Sequence, residues 1–184
     1  MTDDTTIQFT VAASPADVFD TIVDVRAWWS GDIEGPTDEL GAEFTYRHQD
    51  LHRSVQRVTA LEPGHLVAWH VVEGFLAFVQ DNQEWTGTDI TFEIKPEEDG
   101  SHVRFTHRGL APDLECFQAC SGAWQYYIGT SLRTHIVDSS EIDDAGPHPV
   151  CRRRLSSVVT EDGVGWVDRR GHPAPSIGSR LAPC

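Results

Sequence analysis

Residues 85–124, WTGTDITFEIKPEEDGSHVRFTHRGLAPDLECFQACSGAW, narrow the choice of folds more than any other stretch. In the first part Ile90, Phe92 and Ile94 alternate with Asp89, Thr91, Glu93 and Lys95, which predicts a strand over 85–95 with one apolar face. Pro96–Gly100 reads as an acidic turn, and 101–107 returns with Val103, Phe105 and His107 on one parity and His102, Arg104 and Thr106 on the other. From Asp113 the period becomes helical. Phe117, Cys120, Trp124, Ile128, Leu132 and Ile136 form an apolar stripe, with Gln118, Gln125 and Arg133 opposite. Such a stripe must bury against another layer, and the largest apolar surface on offer is the inner face of a sheet. An α+β fold is therefore expected: a curved antiparallel sheet of about six or seven strands around a long C-terminal helix, with a cavity between.

The rest of the chain extends this plan. TTIQFTV alternates over 5–11, with Ile7, Phe9 and Val11 inward. In SPADVF, Ser14 suits a helix N-cap, Pro15 the first helical position and Asp17 the first turn, so a helix is predicted over about 15–23. A second short helix should carry Arg26, Trp28 and Trp29 before Gly31, Gly35 and Pro36 break it. Strands are expected over 42–48, with Phe44, Tyr46 and His48 on one side, over 51–61, and over 66–72, which is apolar on both parities and so central. Residues 74–84 fit either a loop with a short helix or a strand start. Leu110-Ala111-Pro112 leads into the long helix. The organisation expected is one domain over 1–146 and a tail over 147–184, largely disordered or loosely packed, with a short strand at Gly163–Val167.

Charge limits the partners. The net charge is −15, and it is unevenly spread: the first 146 residues hold 8 Lys/Arg against 26 Asp/Glu, the last 38 hold 6 against 3. An acidic body repels nucleic-acid phosphates and anionic lipid heads, so neither nucleic acid nor membrane is an expected partner. No apolar run of about 18 residues marks a membrane span. The start MTDDTTIQ lacks the order of a secretory signal, which makes a cytoplasmic location the expectation. Cys116 and Cys120 share a helix face as small hydrophobes, no CxxC occurs, and neither a disulfide framework nor a thiolate metal site is indicated. The motifs GxSxG, HExxH, GxGxxG and the Walker loop are all absent from the sequence.

The order of elements and several short motifs resemble a known group. SPADVFDTIVD, the Trp28–Trp29 pair, the W-x-G-T start at Trp85, FTHRGL, and Ser121-Gly122-Ala123-Trp124 are similar to the START-like, or Bet v 1-like (SRPBCC), superfamily. Within it they resemble the branch named after the activator of Hsp90 ATPase, over roughly residues 5–138. The resemblance implies a helix-grip fold with an apolar cavity. Its members bind lipids, sterols, polyketides or plant hormones, some catalyse cyclisation or dehydration, and the eukaryotic namesake stimulates a chaperone ATPase. No cofactor is implied.

Three functions follow as expectations. The first is binding of a small apolar or aromatic ligand in a cavity of some 300–1,000 Å³, lined by His107, Tyr46, His48, Trp69, Trp85, Phe92, Phe105, Trp124 and Tyr127. Tryptophans supply rigid flat surfaces, Tyr127 a hydroxyl, and Gly122 and Gly129 either close helix–sheet contact or room for a guest. His107 falls on the inward parity and needs a hydrogen-bond partner there. The second is a co-chaperone-like interaction module, with a chaperone or a second copy as partner. The third is a cyclase or dehydratase, which requires His107 paired with Tyr46 or Glu84. Glu84, Asp81 and Glu73 belong to a solvated rim on this reading. A zinc site would need His48, His70 and His107 to converge, a spacing that matches no ligand motif, and no metal is expected.

Overall fold

Seven antiparallel strands form one curved sheet in the order β1-β7-β6-β5-β4-β3-β2. The computed structural model describes residues 4–144 and two further strands, 156–160 and 163–167. The sheet strands are β1 (Thr5–Val11), β2 (Asp32–Glu34), β3 (Glu43–His48), β4 (His52–Glu62), β5 (Leu66–Leu76), β6 (Asp89–Glu97) and β7 (Gly100–Arg108). The inward parity holds as the alternation requires: Ile90, Phe92, Ile94, Val103, Phe105 and His107 are all buried. β5 is central, yet its outer side chains Leu66, Ala68 and His70 are only half-buried, so one face alone is covered.

Helix α1 (Pro15–Val23) begins where its capping residues put it, with the Asp17 N–H donating to Ser14 Oγ at 3.2 Å. After the short α2 (Val25–Trp28), the chain runs through the sheet and returns in a rod of three continuous pieces. These are α3 (Phe117–Tyr126), a π-helical segment (Tyr127–Leu132) and α4 (Arg133–Asp144). Cys120, Trp124, Ile128, Leu132 and Ile136 point from the rod into the sheet, and α1 packs on α4, β5 and β6. Burying each of these larger side chains contributes about 1.5–3 kcal/mol, so the stripe is what closes the domain.

Three details depart from the sequence reading. Asp32–Glu34 is a strand, paired with Thr45–Arg47, although its flanking glycines read as a break. Residues 85–88 turn instead of extending, because Thr88 Oγ1 donates to the Trp85 carbonyl at 2.6 Å and folds the segment back. The long helix starts at Phe117, four residues after Asp113. Gly122 and Gly129 make no close contact with the sheet; a Cβ on either would meet nothing within 4 Å.

The chain divides after Ala145 into a second unit. There Ser156–Thr160 pairs antiparallel with Gly163–Val167, so a strand stands where one was expected. The remaining residues of 147–184, and the expectation of a loose tail, lie outside the described residues. Gly122 is exposed and of ordinary helical backbone, so Gly122→Ala is expected to raise the unfolding free energy by up to about 1 kcal/mol, measured by urea denaturation.

Candidate functional site

A cleft of about 220 Å³ opens between α3 and the β3–β4 end of the sheet. β3 supplies Tyr46 and His48, the start of β4 His52, and the β5–β6 loop Phe78 and Trp85; α3 supplies Ala119, Cys120, Ala123 and Trp124, and Tyr127 opens the π segment. Gly74 lets the loop lie flat on β5: a Cβ there would stand 2.7 Å from that of Trp85. Trp85 is thereby pressed into the cleft wall. Leu51 and Phe78 form the mouth at 46% and 47% exposure.

Five lining side chains close into a ring of contacts. Trp29 stacks on Tyr46 with centroids 4.1 Å apart, Tyr46 meets His52 edge-on at 5.0 Å, and His52 meets Trp85 at 4.5 Å. Trp85 stacks on Trp124 at 5.8 Å, and Trp124 returns to Trp29 at 5.0 Å. Behind the ring, Trp28, Trp69, Phe44, Phe92 and Phe105 fill the interior. That aromatic bulk is why the cleft is smaller than the cavity anticipated from the sequence.

Of the residues singled out beforehand, Tyr46, His48, Trp85, Trp124 and Tyr127 line the cleft, whereas Trp69, Phe92, Phe105 and His107 lie behind it, fully buried. His107 is committed to structure. The Trp124 indole N–H donates to its Nδ1 at 3.0 Å, so its own proton sits on Nε2, which faces Thr88 Oγ1 at 2.9 Å. Burial, then the nearby His52, lowers His107 to about 3. With both ring nitrogens engaged, it has no lone pair left to act as a base. Glu84 is not a solvated rim residue: its carboxylate accepts the backbone N–H groups of Glu115 and Cys116 at 2.7 and 2.8 Å, capping the start of α3 from another element. The His107 pairings with Tyr46 or Glu84 that a cyclase would need are absent.

His70 points outward to Asp89, 2.8 Å away, so His48, His70 and His107 do not converge. Among the described residues no group of three His, Cys, Asp or Glu side chains is placed to hold a metal.

Sequence reasoning missed His52, Cys120 and Trp29 as cleft residues. Trp29 was legible only as one of a tryptophan pair, and His52 follows a turn whose register no pattern fixes. His52 Nε2 and Trp85 Nε1 are buried without a partner, and both residues belong to the cleft wall. Each orphan atom costs on the order of 1–3 kcal/mol. Burial, then the His48 charge, lowers His52 to about 4, so its imidazole is neutral at pH 7. Tyr46 is pushed well above its ordinary value by burial and by Tyr127, and remains a hydroxyl donor. Tyr127 OH lies 2.5 Å from Ser30 Oγ. Among the described residues, no Asp, Glu, Lys or Arg lines the cleft.

A seven-stranded antiparallel sheet gripping one long C-terminal helix, with a cleft between the two, defines a START-like, or Bet v 1-like, domain. The chain belongs to the Activator of Hsp90 ATPase homolog 1-like protein family, whose profile matches residues 12–136. Among solved structures it is similar to the Aha1 dimer from Colwellia psychrerythraea, at a TM-score of 0.58 and 22% identity over 76% of this chain and 96% of that one. A protein from Rhizobium leguminosarum gives a TM-score of 0.58 at 14% identity, over 74% and 95% of the two chains. DynU16, of the dynemicin biosynthetic locus, gives 0.55 at 15% identity over 93% of this chain and 68% of its own. At such identities the likeness is one of fold. No curated protein matches the sequence. No described helix is long and apolar enough to cross a membrane.

Two outcomes check this account. Replacing His107 by leucine strands the Trp124 N–H and is expected to cost about 2–4 kcal/mol in urea unfolding. The wild-type protein should also lose stability in mild acid. Both His52 and His107 have folded values below the unfolded value of about 6.5. Below pH 6.5 the unfolded chain takes up protons that the folded one refuses, at up to about 1.4 kcal/mol per pH unit for each histidine. The loss runs from about pH 6.5 down to 4 for His52 and to 3 for His107. A thermal midpoint that stays flat over this window contradicts it.

Proposed function

We propose that the protein binds a small, flat, uncharged aromatic or apolar compound in the cleft. The observation that carries this reading is the closed aromatic ring around a space with two unpartnered buried nitrogens, His52 Nε2 and Trp85 Nε1. Ring faces favour offset stacking with a flat guest. A wall without carboxylate, ammonium or guanidinium groups leaves an ionic guest poorly paired and desolvated, so it selects against charge. A hydroxyl on the guest would meet His52 or the Tyr46 and Tyr127 hydroxyls. The volume suits a compound of one or two fused rings. A sterol-sized guest would exceed this volume.

A second reading draws on the surface. Leu51, Phe75 and Phe78 are exposed apolar side chains beside the cleft mouth, a relative from Colwellia psychrerythraea was solved as a dimer, and the family takes its name from an Hsp90 ATPase activator. A role as a chaperone or homodimer contact would use that rim. Sedimentation of the full chain, with Phe78→Asp beside it, distinguishes the dimer: a mass of two chains that falls to one in the variant supports it. A single-chain mass in both, with no stimulation of Hsp90 ATPase, removes this second reading.

For the first reading, 2-naphthol titrated against tryptophan fluorescence should quench it with Kd on the order of 0.1 mM or tighter. Ala123→Trp fills the cleft from the exposed helix side and should abolish the quench at unchanged stability. His52→Leu should weaken binding about tenfold, the loss of one hydrogen bond. Native mass spectrometry of freshly purified protein reads any resident small molecule directly. Equal quenching in wild type and Ala123→Trp would end this reading.

A further inference from the structure

The two edges of the sheet are built differently. β2, at one end, is three residues long and carries Asp32 and Glu34, both exposed, so a strand laid against it meets charge at once. β1, at the other end, is seven residues long, TTIQFTV, with no charged residue, no proline and no glycine. It pairs with β7 in unbroken register from Thr5↔His107 to Val11↔Ser101, so no bulge turns it aside. Both of its ends are pinned to that side. Asp4 Oδ1 accepts the Gly109 N–H at 3.0 Å, Thr5 Oγ1 donates to the Leu110 carbonyl at 3.1 Å, and Ser101 Oγ donates to the Ala13 carbonyl at 2.7 Å. Among the described residues, no backbone hydrogen bond joins residues 6–11 to any element but β7.

The outer side of β1 is open. Ile7, Phe9 and Val11 keep 7%, 8% and 5% of their surface exposed, whereas their β7 partners Phe105, Val103 and Ser101 keep none. On such an edge every second residue turns its N–H and C=O outward without a strand partner. The chain's charge of −15 is held away from it. Asp4 is turned to β7, and β7 itself carries His102, Arg104 and Arg108 and no carboxylate. Two acidic bodies can therefore meet at this edge without bringing carboxylates face to face. Six of the seven residues, all but Gln8, are β-branched or aromatic and suit a pleated strand.

We propose that the free edge of β1 docks β1 of a second copy of this chain, the two strands running antiparallel about a two-fold axis at Gln8 and joining two seven-stranded sheets into one. The segment is complementary to itself. The register centred on Gln8 pairs all seven residues and keeps every side chain on its own face. Gln8 then faces its own counterpart, Ile7 faces the partner's Phe9, Thr6 the partner's Thr10 and Thr5 the partner's Val11. Aromatic–β-branched and Thr–Thr pairs of this kind favour strand pairing. A charged or proline-bearing strand would lose these matches, which is why the occupant is the chain's own β1. A contact of one patch with itself closes at two copies. It lies at the opposite end of the sheet from the β3–β4 cleft, so it differs from a contact at the Phe78 rim and does not depend on a guest.

Sedimentation equilibrium of the full chain at about 0.1 mM tests this, and the wild type should show the mass of two chains. Gln8→Lys, at an exposed position, sets two ammonium groups against each other across the axis and should lower the mass to one chain at an unchanged thermal midpoint. Phe78→Asp should leave it at two. Cross-linking reads the register and does not depend on how Gln8→Lys folds. Under mild oxidation Gln8→Cys should give a disulfide-linked dimer, mapped by mass spectrometry to the substituted position in both copies, because directly opposed residues have Cβ atoms about 4.5–5.5 Å apart. Thr10→Cys should not link to its own counterpart, which lies about 13 Å along the partner strand, but Thr6→Cys with Thr10→Cys should link one position to the other. The same map separates linkages through Cys151 or Cys184. A single-chain mass for the wild type, a two-chain mass that survives Gln8→Lys, or Thr10→Cys linking as readily as Gln8→Cys overturns the proposal. A two-chain mass lost in Phe78→Asp but kept in Gln8→Lys places the contact at the cleft rim and overturns it as well.

Discussion

One buried relay joins the three parts that make the cleft. Trp124 on α3 donates to His107 on β7, His107 donates to Thr88, and Thr88 donates to the carbonyl of Trp85 in the β5–β6 loop. Helix, sheet and loop are thus fixed by one neutral imidazole. The direction of every bond in the relay follows from a single fact: the indole nitrogen can only donate. Were His107 protonated, Nδ1 would present an N–H to another N–H, and the chain would break at Trp124. The low proton affinity of His107 is therefore a consequence of its structural task as well as of burial. Because Trp85 and Trp124 are also two of the five rings around the cleft, the site inherits its shape from this relay.

The size of the cleft follows from how the interior is filled. Proteins of this architecture leave space between sheet and helix only to the extent that inward side chains are small. Here Trp28, Trp29 and Trp69 lie nearly parallel, Phe92 meets the stack edge-on, and Phe105 meets Phe92 edge-on in turn. Aromatic rings occupy the space that a larger guest would need, and a remnant survives only where Ala119 and Ala123 present no bulk. The same packing withdraws Trp69, Phe92 and Phe105 from any guest. The lack of Asp, Glu, Lys and Arg among the described lining residues fits the same packing, since such a charge set among these rings would be poorly hydrated.

The strands and the gripping helix were legible because their burial is one-sided, and one-sided burial writes a period into the sequence. Ile90, Phe92 and Ile94 show it at two residues and Cys120 to Ile136 at four. Seven strands in antiparallel order follow from short connections once those faces are known. The site was only half legible. Tyr46, Trp85, Trp124 and Tyr127 were found because large aromatic residues on an inward parity must meet near the helix. His107 was found for the right reason, an inward imidazole needing partners, but its partners are an indole and a threonine and not a guest. The role of Glu84 escaped because it arises across more than 30 residues, where no local pattern reaches. His52 escaped because its neighbours in the ring come from two other elements, β3 and the β5–β6 loop.

The π segment shows how a signal can be present and still go unread. Cys120, Trp124, Ile128, Leu132 and Ile136 recur at strict intervals of four. On a regular α-helix each such step drifts by about 40°, so a stripe of this length would wind away from the sheet. A π turn holds more residues per turn than an α turn and cancels part of the drift. The widened segment, Tyr127–Leu132, falls in the middle of the stripe, where it returns Ile128 and Leu132 to the buried face. It also sets the direction of its first residue. Tyr127 follows the stripe residue Trp124 by three positions, and at the entry to the wider turn it faces the cleft and reaches Ser30 at the end of the first helical layer. The rod's irregularity is therefore the means by which one helix serves two surfaces, an apolar stripe for the core and a hydroxyl for the cleft, and removing it would force a choice between them.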